Sequence, residues 1–130
     1  MPIKRITHIP ILVRDQDVAL AWFQEKFGFV VCEDNAELVP GYRWLTIAPD
    51  GAPLPRFILM LPQEENDDAR IGTNGMCILA CDDVKADCAT LTERGVRVVD
   101  GPTEAASGIT ATVLDLYGNP YYLVQPAQGS

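Results

Sequence analysis

The chain has 130 residues and a single histidine, His8. One imidazole leaves little room for a multi-histidine metal cluster. No Ser-His-Asp arrangement, Gly-rich phosphate loop or paired-carboxylate signature stands beside it. Basic residues are also scarce. Ten Lys and Arg against 18 Asp and Glu give a formal net charge of −8, which sets the surface against a nucleic-acid backbone. No apolar run approaches the length of about 20 residues that spans a bilayer. The opening "MPIKRITHIPILVRD" is broken at Pro10 and stopped by Arg14 and Asp15, so it does not read as a secretory leader. Cys32, Cys77, Cys81 and Cys88 form no Cys-x-x-Cys pair. On one strand Cys77 and Cys81 stand roughly 13 Å apart, beyond disulfide reach. Reduced thiols of this kind predict a cytoplasmic protein with neither nucleic acid nor membrane as partner.

What is present is an apolar fraction of 48%, enough for one globular domain with a real core. The chain also repeats itself. "ILVRDQDVALAWFQEKFGFVV" (11–31) and "ILACDDVKADCATLTERGVRVV" (78–99) share one plan of strand, acidic start, helix of about three turns, glycine and strand. An offset of 67 pairs Asp15 with Asp82 and Gly28 with Gly95. Asp15 or Asp17, and Asp82 or Asp83, suit the helix N-caps. Ala19, Trp22, Phe23 and Phe27 follow the spacing of a buried helix face, as Val84, Cys88 and Leu91 do more sparsely. Gly28 and Gly95 sit where a left-handed residue ends the helix.

Strands at "GYRWLTIAP", "RFILMLP", "GITATVLD" and "PYYLVQP" complete two β-α-β-β-β modules, about 5–62 and 73–127. The charged stretch 63–72 joins them as a linker. The expected class is α+β, with the two modules making one domain over 1–130.

The segments "HIPILVRDQDVALAWFQEKFGF", "GMCILACDDVKADCATLTERGV" and "VLDLYGNPYYLVQP" resemble the vicinal oxygen chelate superfamily of glyoxalases, bleomycin-resistance proteins and extradiol dioxygenases. In the last segment Leu116 and Tyr117 replace the Pro and Asp of the family's Asp-Pro-Asp-Gly-Asn turn. The resemblance implies two modules whose mixed sheets form a curved cup, a homodimer, and four metal-binding positions. Those positions carry over to His8, Leu59, Met76 and Tyr122.

Of these four only His8 is a good ligand for a divalent ion, since Leu59 has no donor and Met76 and Tyr122 are weak ones. Strand alternation groups Pro10 and Leu12 with His8, Phe57 and Leu61 with Leu59, Ile78 and Ala80 with Met76, and Val124 with Tyr122. Such a lining favours an apolar or aromatic ligand over a hydrated cation. Two facings stay open. Tyr42, Trp44 and Thr46 share one face of their strand and Arg43 the other, with Trp44 a candidate pocket wall. The offset of 67 pairs Met76 with Ile9, so a bulge between strand and helix is needed to keep Met76 in the cup; otherwise Cys77 takes its place.

The resulting expectation is a metal-free protein, similar to the bleomycin-resistance branch, that binds a small organic molecule. His8, Trp44, Phe57, Leu59, Met76 and Tyr122 are its ligand contacts, with no cofactor and no assigned catalytic residue. The alternative is a glyoxalase-like lyase or dioxygenase with a metal held by His8 and non-standard ligands.

Overall fold

A computed structural model describes residues 2–63 and 67–127. The chain divides into two compact units, Met1–Ile71 and Gly72–Ser130. The first holds β1 (His8–Leu12), α1 (Gln16–Trp22), a π-helical turn at Phe23–Phe27, β2 (Val30–Val39), β3 (Tyr42–Ala48) and β4 (Arg56–Met60). The second holds β5 (Cys77–Ala80), α2 (Val84–Glu93), β6 (Val98–Ala105), β7 (Gly108–Leu114) and β8 (Pro120–Pro126). Each unit folds one four-stranded mixed sheet, ordered β1-β4-β3-β2 and β5-β8-β7-β6, so the α+β plan of two tandem modules is observed. In both, the first strand runs parallel to the last, and the other pairs are antiparallel. The stretch between the units has one 3₁₀ turn at Asp67–Arg70, and its residues 64–66 lie outside the described ones. Among the described residues no helix is long and apolar enough to cross a membrane.

The helix caps decide how the two copies align. Asp15 accepts from the Val18 amide at 3.0 Å and Asp83 from the Ala86 amide at 3.0 Å. The equivalent N-caps are therefore Asp15 and Asp83, which are 68 residues apart, and the pairing of Asp15 with Asp82 is corrected. At the helix ends Gly28 (φ 71°) and Gly95 (φ 87°) are only 67 apart. The surplus residue of the first copy is taken up inside the helix, where the Gly28 amide reaches back five residues to the Phe23 carbonyl. No bulge between strand and helix is required, and an offset of 68 sets Met76 opposite His8.

Each sheet buries one face beneath its helix. In the first unit Ile11, Leu45, Ile47 and Leu59 are at most 1% exposed, and Phe57 stacks on Phe29, which stacks on Phe23. Gln16, at the start of α1, donates its side-chain amide to the carbonyls of Leu59 (2.9 Å) and Arg43 (3.2 Å). Arg43 also faces the helix. It clasps Asp34 with two bonds of 2.9 Å and reaches Asp17 at 2.8 Å. The guanidinium holds the Asp34 carboxyl below its usual range, and the two carboxylates raise Arg43 in return. In the second unit α2 packs on β6, β7 and β8 and buries Val84, Cys88 and Leu91.

The turn before β8 is organised by Asp115, which is 6% exposed. Its Oδ1 accepts from the amides of Tyr117 (2.9 Å) and Asn119 (3.0 Å), and its Oδ2 from Asn119 Nδ2 (2.9 Å) and the Tyr121 hydroxyl (2.7 Å). Burial first, and then the adjacent Asp115 carboxylate, push the Tyr121 phenol far up. Leu116 and Tyr117 are tolerated because Asp115 and Asn119 supply the bonds.

All four cysteines are free. Burial raises the thiols of Cys77, Cys81 and Cys88. Cys81 is pushed up to about 12, with the Asp87 carboxylate adding to the effect. Such thiols are poor nucleophiles at neutral pH.

Two outcomes follow. Asp115→Ala strands buried partners at Asn119 and Tyr121, and is expected to cost about 2–4 kcal/mol in urea unfolding. A loss under about 0.5 kcal/mol, the scale of an ordinary surface substitution, would refute the network's role. Timed alkylation at pH 8 with peptide mapping should show Cys81 modified about 10²–10³ times more slowly than an unperturbed thiol.

Candidate functional site

Strand pairing sets which side chains share the helix-free face of the first sheet. His8 pairs with Arg56, Pro10 with Ile58 and Leu12 with Met60, while Thr46 pairs with Ile58. That face therefore carries His8, Pro10 and Leu12 from β1, Arg56, Ile58 and Met60 from β4, and Tyr42, Trp44 and Thr46 from β3. Phe57 and Leu59 point the other way, into the core under α1, where they are 7% and 0% exposed. Their expected role as ligand contacts is corrected by this one-residue shift in parity. The position matching Tyr122 in the second sheet is Ile58. Each pairs with the first-strand residue five before its helix N-cap, Ile58 with Pro10 before Asp15 and Tyr122 with Ile78 before Asp83.

Glu33 joins the face through an irregularity in β2. Val31 pairs with Ile47, yet Glu33 pairs with Thr46, so Cys32 is a bulge residue and the alternation reverses there. Without the bulge Glu33 would point toward the helix. With it, Glu33 Oε1 lies 3.3 Å from the Thr46 hydroxyl, 3.6 Å from His8 Nε2 and 3.6 Å from Arg56 Nη1. The Trp44 indole, then His8, Thr46 and the Arg56 charge, hold the Glu33 carboxyl below the usual carboxylate range, against desolvation acting the other way. Both the indole and the imidazole act on the carboxylate, yet Trp44 Nε1 and His8 Nε2 make no hydrogen bond within 3.5 Å.

His8 and Trp44 are thus brought together. Their rings meet edge to face, with centroids 5.1 Å apart and planes at 76°. His8 Nδ1 lies 2.9 Å from the Thr7 hydroxyl, and the Glu33 carboxylate on the opposite edge favours the tautomer with hydrogen on Nε2. Tyr42 shares the face, and burial raises its phenol.

Met76 and Tyr122 belong to the second unit. Ile78 pairs with Tyr122, and Ala80 with Val124. These residues and Met76 therefore share the helix-free face of that sheet, where Met76 is 51% and Ile78 68% exposed. Cys77 pairs with the buried Tyr121 and faces the helix, so Met76 and not Cys77 takes the position matching His8. Neither Glu33 nor Arg56 was among the residues the sequence marked as ligand contacts. Arg56 was legible from alternation once Ile58 replaced Leu59; Glu33 depended on the bulge, for which the sequence carries no signal.

Metal-ligating side chains are sparse on this face. His8 Nε2 and Glu33 Oε1 lie 3.6 Å apart, and the Arg56 guanidinium sits 3.6 Å from that same oxygen, where its charge opposes a cation. Within the first unit Ile58 adds no donor, and within the second Met76 and Tyr122 are weak ones. Among the described residues no three His, Cys, Asp or Glu side chains gather in a metal-binding group. What the face offers is an aromatic wall, aliphatic neighbours and a small polar cluster.

A family model described as Glyoxalase/Bleomycin resistance protein/Dioxygenase superfamily matches residues 5–121. The uncharacterized protein YurT of Bacillus subtilis (strain 168) is 30% identical over 129 residues, covering 93% of this chain and 98% of YurT. An uncharacterized protein of Shewanella frigidimarina (strain NCIMB 400) is 28% identical over 124 residues, covering 92% of each. Among solved structures, TnmS3, an antibiotic binding protein from Streptomyces sp. CB03234, superposes with a TM-score of 0.82 at 35% identity, covering 98% of this chain and 99% of TnmS3. A superfamily member from Sphaerobacter thermophilus DSM 20745 also gives 0.82, at 30% identity over 96% and 99%. The chain belongs to the Glyoxalase/Bleomycin resistance protein/Dioxygenase superfamily.

Proposed function

We propose that this protein binds a small organic molecule with an aromatic or largely apolar frame, without a metal, as a homodimer in the cytoplasm. The observation that carries the reading is the helix-free face of the first sheet. There the crossed rings of His8 and Trp44 stand beside Pro10, Leu12, Ile58 and Met60, with a compact polar cluster at Glu33 and Arg56. An aromatic wall with few polar groups is the usual chemistry of an organic-ligand site. In the second unit Met76, Ile78 and Tyr122 form a further apolar contact surface. TnmS3, at 35% identity over nearly the whole chain, binds an antibiotic. That supports a ligand of natural-product type here.

The pairing of Arg56 with Glu33 argues against a metal-assisted reaction on this face, and in the second unit the raised Cys77 and Cys81 thiols argue against a thiolate nucleophile. The second reading, a lyase or dioxygenase using His8 and Glu33 on a metal, rests on the nearness of those two side chains.

Native mass spectrometry of the protein purified from its source is expected to show a dimer carrying a small organic molecule. Trp44→Ala should weaken its retention about tenfold or more, the scale of losing an aromatic anchor. A stoichiometric transition metal that survives dialysis, together with turnover abolished by His8→Ala, would replace this reading with the enzymatic one.

A further inference from the structure

Among the described residues four buried side-chain polar atoms have no hydrogen-bond partner: His8 Nε2, Tyr42 Oη, Trp44 Nε1 and Arg56 Nε. All four stand on the helix-free face of the first sheet, on β1, β3 and β4. Random packing defects would scatter over both units and both faces. Leaving such an atom buried and unpaired is destabilising, so four on one face call for an explanation.

Their chemistry is one-sided. Trp44 Nε1 and Arg56 Nε carry hydrogen and have no lone pair to offer, and the Tyr42 hydroxyl can donate. His8 Nε2 donates in the tautomer that Glu33 favours. Against these stands one carboxylate, Glu33, whose contacts to Thr46, His8 and Arg56 are long, 3.3–3.6 Å, and all fall on Oε1. The face has more donors than acceptors.

A purely hydrocarbon ligand would seal the donors in unpaired, and an amine would bring more hydrogen to a place already short of lone pairs. We propose that the ligand of this site is an aromatic compound bearing a carbonyl oxygen, which accepts from Trp44 Nε1 and Arg56 Nε while its ring system lies against the His8–Trp44 wall. This rests on the aromatic-ligand reading above and adds the group that is recognised. The Arg56 and Glu33 side chains are 34% and 40% exposed, so a ligand can approach the cluster at their edge. The Arg56 fork then serves both sides, keeping Nη1 toward Glu33 and giving Nε to the ligand.

The test compares fluorenone with fluorene, two flat tricyclic probes of nearly the same shape that differ in whether the bridging carbon carries an oxygen. Equilibrium dialysis against purified full-length protein is expected to show fluorenone bound about tenfold more tightly, although fluorene is the more hydrophobic. Trp44→Phe and Arg56→Met, each verified as folded by circular dichroism, should bring the ratio of the two affinities toward one. Equal binding, or preference for fluorene, in the unaltered protein would overturn the carbonyl assignment and leave the aromatic-ligand reading standing. A ratio undiminished in both variants would also overturn it, since the donors would then lie elsewhere. Retention of neither probe would sink both.

Discussion

Everything on the candidate site depends on the hydrogen-bonded pairing of first and last strand within each unit. Because side chains alternate along a strand, the partner of His8 decides whether Arg56 or Phe57 shares its face, and so whether the face is wholly hydrocarbon or holds a guanidinium. The pairing gives Arg56. The same rule hands Phe57, Leu59 and Arg43 to the helix side, where an aromatic stack and an Arg–Asp clasp fix α1 to the sheet. The two faces then have different tasks: one is closed by carbon packing and fully paired charges, the other keeps polar atoms without partners.

Much of the fold could be read from the sequence because its signals are local and repeated. Two acidic N-caps, two left-handed glycines and apolar strand segments in the same sequence mark two β-α-β-β-β modules in the observed order. The closing turn survived two substitutions because Asp115 and Asn119 carry its bonds. The site was legible only in part. His8 and Trp44 do meet on one face, whereas Phe57 and Leu59, expected beside them, turn to the helix side. That error came from carrying a strand position across by motif when the parallel register, a long-range property, sets it. Glu33 was hidden for a related reason: nothing local in "VVCED" marks Cys32 as the residue that breaks the alternation.

The acid-rich composition gains a more specific meaning at the level of individual groups. Asp17 and Asp34 are spent on Arg43, and Asp115 on the turn before β8. Glu33 alone of these points to the helix-free face, and there it meets Arg56. The net charge of −8 therefore says little about the polarity of that face, where donors outnumber acceptors.

The π-helical turn at Phe23–Phe27 has a consequence for how a duplicated fold can diverge. It stores one added residue in a stretch walled by Trp22, Phe23, Phe27 and Phe29, whose rings keep their contacts around the widened coil. Growth of the chain is confined to a place where it rotates no strand. Two halves of unequal length can thus keep their sheet faces in phase, while a gapless alignment of one half with the other slips by a position ahead of the helix.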